Sequence, residues 1–138
     1  MSSYISVELR NSLLAADDHQ CAYCQTRQSN SGFPMVVDHI IPISKNGPTA
    51  FENLCFSCHR CNLFKNERTH HQDPLTGNLT ALFHPRRDSW ADHFRWDEDG
   101  IFLTAITGVG RATLLALQMN NDVIIDARRK WVAVGWHP

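Results

Sequence analysis

The chain has 138 residues, 43% hydrophobic and 20% charged, with a net charge of −1. That length suits one compact domain or a small metal-stapled module with an accessory piece, and the charge excludes a protein that grips nucleic acid through bulk positive potential. No apolar run approaches membrane-spanning length and the N-terminus lacks a basic-then-apolar leader pattern. The expected location is therefore the cytosol, where five cysteines read as thiols or metal ligands rather than disulfides.

Ile5, Leu9, Leu13 and Ala16 recur at helical spacing, with Glu8 in the first turn, and predict an amphipathic helix over 5–17. "CAYCQ" at 21–25 leads into a polar loop. "PMVVDHIIP" is β-branched and bounded by prolines, so it reads as a strand. Gly47 and Pro48 turn the following loop, "NLCFS" is a short strand or a tight turn, and residues 60–68 favour a helix.

The stretch "HHQDPLTGNLTALFHPRR" reads as irregular because of Pro74, Gly77 and Pro85. Beyond it, "HFRW-DEDG-IFLTAI" predicts a hairpin turning at Asp99-Gly100, followed by two helices. In the second helix Val123, Ala127, Trp131 and Val134 form an apolar stripe, with Arg128, Arg129 and Lys130 off it. Trp90, Phe94, Trp96 and Trp131 suggest a core, since large aromatics dominate small ones. The expected division is 1–72, which holds the cysteine knuckles, and 73–138, an accessory segment packing on it.

Two Cys-x-x-Cys pairs, Cys21/Cys24 and Cys58/Cys61, are separated by 33 residues. Four thiolates in two knuckles can fill the tetrahedral shell of a structural zinc. Cys55 overlaps the second pair in "CFSCHRC"; flanked by Leu54 and Phe56, it behaves as a small buried hydrophobe. Asp38 and His39 end an apolar strand, an expensive place for two ionisable groups without partners or work. Asn62, directly after the second knuckle, offers an amide oxygen suited to Mg²⁺, although cap or turn chemistry is the commoner role for it and for Asn53. From His59 to His71, Arg60, Lys65 and Arg68 stand against Glu67 alone, a local +2.

Together, "CAYC…VVDHIIPISKNG…NLCFSCHRCN..K" resembles an HNH nuclease domain of the four-cysteine, zinc-stapled kind found in small stand-alone bacterial and phage proteins. The resemblance covers Cys21 to about Arg68. It implies an α+β fold: a ββα-metal core stapled by Cys21, Cys24, Cys58 and Cys61, with an N-terminal helix and a C-terminal hairpin plus two helices. By position, His39 would be the general base, Asp38 and Asn62 would hold a catalytic cation, and Asn53 would steady the loop and the histidine. Arg60, Lys65 and Arg68 would meet DNA phosphates. The implied products are a 5′-phosphate and a 3′-hydroxyl. Asn62 stands where the family often has histidine, and this harder oxygen pair favours Mg²⁺ or Mn²⁺ over Ni²⁺ or Zn²⁺. Two other classes remain: a non-catalytic zinc module that binds nucleic acid or protein, and a redox-sensing thiol protein using the fifth cysteine.

Overall fold

In the computed structural model, which describes residues 4–138, the first element begins at a serine. The Ser6 hydroxyl accepts the Leu9 N–H at 3.1 Å and caps α1 (Val7–Ala16). Leu13 is the residue this helix buries, and Asp17 ends it. A short α2 (Gln28–Ser31) closes at Gly32 in the left-handed conformation. β1 (Val36–His39) pairs antiparallel with β2 (Leu54–Ser57), with Asp38 opposite Cys55 and His39 opposite Leu54. All four β2 residues are buried, which settles "NLCFS" as a strand.

α3 (His59–Lys65) follows directly, capped by the Cys58 sulfur. It stops three residues before the expected end because Asn66 turns to φ 53°. The β1 strand likewise ends at His39, since the Ile41 N–H and carbonyl bond the Asn53 side chain instead of a neighbouring strand.

The described chain divides into two units. The first runs to Thr69 and includes His84–Asp88; the second holds His70–Phe83 and Ser89–Pro138. This differs from a single break after residue 72. The cause is Arg86, which forks onto Asp17 through two bonds of 2.8 and 2.9 Å, donates to the Leu54 carbonyl and lies 4.7 Å over the Phe51 ring.

The second unit opens with a hairpin in the stretch read as irregular, β3 (His70–Gln72) against β4 (Leu79–Ala81). Asp73 organises its turn, accepting from Leu75 N and Thr76 Oγ1. After α4 (Trp90–His93), β5 (Phe94–Trp96) and β6 (Leu103–Ala105) form the expected hairpin, followed by α5 (Gly108–Ala116) and α6 (Asp122–Ala133). Phe83, Phe94, Leu103, Ala112, Leu117, Met119 and Ile125 make its core.

α6 is turned away from the expected stripe: Val123 and Val134 are exposed, while Ile125 and Arg128 are buried. Arg128 tolerates this because its guanidinium donates to the Met119 and Ile101 carbonyls and to Asn120 Oδ1, and stacks 5.0 Å from the Trp96 ring. No helix is long and apolar enough, among the described residues, to cross a membrane.

Candidate functional site

The two knuckles converge. The first is closed by the Cys21 N–H to Thr26 carbonyl bond and by Gln25 at φ 62°, and it is tied to β2 by Ala22 N–H on the Phe56 carbonyl. The second is the mouth of α3. The Sγ atoms of Cys21, Cys24, Cys58 and Cys61 all lie within 4.8 Å of one another, and all four residues are buried. Zn–S bonds of about 2.3 Å set tetrahedral sulfurs about 3.8 Å apart, and Cys24 and Cys58 are 3.7 Å apart.

The surrounding donors also suit thiolates. Backbone N–H groups of Cys24 and Cys61 point at the Cys21 and Cys58 sulfurs, at 3.5 and 3.4 Å. Burial pushes the Cys21 and Cys61 thiols up, whereas hydrogen bonds from the neighbouring cysteines pull Cys24 down. A dication would compensate all four at once. The set fits zinc, held as a structural staple with no open position. Cys55 is buried outside this cluster, on β2 opposite Asp38.

β1 then presents two ionisable neighbours to opposite sides, as strand alternation requires. Asp38 is 5% exposed, and burial raises its carboxyl above the usual range while Lys65 and Tyr23 draw it back. The Tyr23 hydroxyl donates to Oδ2 at 2.6 Å. Lys65 Nζ lies 3.1 Å from Oδ2 and 3.3 Å from Oδ1, and donates to the His39 carbonyl at 3.2 Å.

His39 faces the other way and is partly exposed. Its Nε2 meets Thr49 Oγ1 at 2.9 Å, and partial burial lowers the imidazole below its ordinary value. Asn53 does not touch this ring. Its Oδ1 accepts the Ile41 N–H, and its Nδ2 donates to the Ile41 and Pro48 carbonyls, each at 2.9 Å. It therefore holds the 41–48 loop, and Thr49, a residue with no motif signal, takes the histidine. A Cβ at Gly47 would collide with the Ile41 carbonyl and the Asn53 amide, which explains the glycine.

Asn62 sits half-buried on α3, and its amide makes no side-chain hydrogen bond among the described residues. Asp38 and Asn62 are the residues expected to hold a catalytic cation, and a carboxylate and an amide oxygen are donors of the kind a hard cation takes. Of the Asp38 oxygens, Oδ2 is taken by the two short contacts, while Oδ1 receives only the 3.3 Å bond and keeps lone pairs to offer.

The three basic residues go to different places. Arg60 Nη2 lies 3.9 Å from Cys58 Sγ, and the cysteine cluster raises its guanidinium further. Lys65 is 1% exposed, turned inward onto Asp38 rather than outward to phosphate as expected. Arg68 is exposed and donates to the Phe64 carbonyl at the end of α3.

A family model described as HNH endonuclease matches residues 21–68, about a third of the chain. No curated protein and no solved structure matches it. The matched span begins at the first zinc-knuckle cysteine, contains Asp38, His39, Asn53 and Asn62, and ends just past α3. Residues 21–68 are an HNH endonuclease-family domain in an α+β frame, built around a four-cysteine cluster.

Proposed function

We propose that this chain is a metal-dependent endonuclease that hydrolyses phosphodiester bonds in DNA. The observation that carries this reading is the arrangement at the end of β1: a partly exposed imidazole held by one nitrogen, next to a buried carboxylate facing the opposite side. In the tautomer with Nε2–H donating to Thr49 Oγ1, Nδ1 carries the lone pair. Because burial keeps the ring neutral near pH 7, Nδ1 takes a proton from the attacking water. The water oxygen attacks phosphorus and the P–O3′ bond breaks; the departing 3′ oxygen takes a proton from solvent, giving a 5′-phosphate and a 3′-hydroxyl.

Asp38 and Asn62 would hold Mg²⁺ or Mn²⁺, and the ion would supply positive charge against the charge that grows on the phosphate and the leaving oxygen. Asn53 and Gly47 fix the loop that brings Thr49 to the ring. Arg68 and the partly exposed Arg60 supply positive charge for the DNA backbone. Zinc would hold the two knuckles through Cys21, Cys24, Cys58 and Cys61, and five cysteines without a disulfide suit the reducing cytosol.

The test is nicking of supercoiled plasmid by the zinc-loaded chain across divalent metals, with His39→Ala beside it. Mg²⁺ or Mn²⁺ should support cleavage, Ni²⁺ should be poorer, and His39→Ala should abolish cleavage while retaining zinc. Cleavage by that variant would remove His39 from the mechanism. DNA binding by wild type without cleavage under any metal would favour the non-catalytic zinc module.

A further inference from the structure

Lys65 is the least expected member of the site. It is fully buried, and its three ammonium protons find two carboxylate oxygens of Asp38 and the His39 carbonyl. It comes from α3, four residues after Cys61, so the second zinc knuckle sets its reach. The first knuckle sends Tyr23, between Cys21 and Cys24, to the same carboxylate. Each knuckle thus delivers one hydrogen-bond donor to Asp38.

A carboxylate this enclosed cannot stay ionised alone, because little water reaches it. Lys65 answers that need within the chain itself. Resting on the nuclease reading above, we propose that Lys65 is a resident counter-cation for Asp38, a positioning residue whose ammonium shares the carboxylate with the divalent ion and keeps that ion weakly bound. Two positive charges on one carboxylate repel each other at short range, and the low local dielectric magnifies the effect. Tyr23 adds direction without charge, so carboxylate orientation and ion affinity are set by separate residues.

The probe is Mn²⁺ alone, its binding to the zinc-loaded full chain followed by the EPR signal of the free ion. Lys65→Met should tighten Mn²⁺ binding about tenfold, and Lys65→Arg, which keeps the charge, should stay within about twofold of wild type. Lys65→Met binding Mn²⁺ no more tightly than wild type overturns the proposal.

Because removing one partner of a buried pair can unfold a domain, a second arm uses the unmutated chain labelled with ¹⁵N. Substoichiometric Mn²⁺ should broaden the Lys65 ammonium resonance, since both cations would lie on one carboxylate. A sharp Lys65 signal with Mn²⁺ bound elsewhere also overturns it. The nuclease reading fails in a distinguishable way: wild type would then neither bind Mn²⁺ nor cut plasmid.

Discussion

Arg86 reaches back 69 positions to grip Asp17, with Nη1 on Oδ1 at 2.8 Å and Nη2 on Oδ2 at 2.9 Å. The same Asp17 carboxylate accepts the Phe56 N–H, so one fork joins the end of α1, the buried strand β2 and the returning segment 84–88. Replacing Arg86 by Ala should cost about 3 kcal/mol, because it strands a buried carboxylate. Arg86→Lys should recover only part of that, since an ammonium cannot reproduce two parallel bonds. Denaturant titrations of the two variants beside wild type measure both effects.

Thr49→Val removes the hydroxyl from His39 Nε2 while nearly preserving shape. The ring loses its orientation and its tautomer preference, so the cleavage rate should fall on the order of tenfold. Substrate binding and zinc content should stay as in wild type. Single-turnover cleavage at saturating Mg²⁺ reads the rate separately from affinity.

The first cysteine of "CFSCHRC" should behave differently from the two that follow. Cys55→Ala, outside the sulfur cluster, should keep one zinc per chain and cost about 1 kcal/mol of packing. Cys58→Ala or Cys61→Ala should lose the ion and with it the folded first unit. Zinc stoichiometry paired with circular dichroism distinguishes these outcomes.

In the second unit Asp73 is held well below the usual carboxylate range, chiefly by its two 2.9 Å bonds from Arg111. A carboxyl lowered in the folded state contributes stability that is complete above its unfolded value of about 4. That contribution disappears as pH falls from there through the depressed folded value. Wild type should lose stability on acidification through this window, and Asp73→Asn should show a shallower acid dependence with lower stability at pH 7. Thermal melts from pH 7 down to pH 2 test the slope.

Spacing made much of this molecule legible. Paired knuckles, a β-branched strand and an Asp-Gly turn all declare themselves within a few residues, as does the helix at the second knuckle. Strand alternation by itself requires Asp38 and His39, as neighbours on β1, to point to opposite sides. What spacing could not show were partners chosen by the fold. Tyr23 finds Asp38 across 15 positions, Thr49 finds His39 across 10, and Lys65 finds Asp38 across 27. Lys65 and Arg128 read as surface charges because burial of a cation depends on acceptors that no local window contains. The β3–β4 hairpin escaped for another reason: its strands are three residues long and open on two histidines, although Asp73, Pro74 and Gly77 already spelled a turn.

The return of His84–Asp88 to the first unit bears on how portable the HNH segment is. Chain order runs first unit, second unit, first, second, so no single cut releases either one whole. A fragment trimmed to the family boundaries 21–68 would lose both Asp17 and Arg86, and one ending at Thr69 would keep the acid without its base. Transplanting this domain into another protein therefore requires a split graft, with the "HPRRD" peptide carried along as a detached strut.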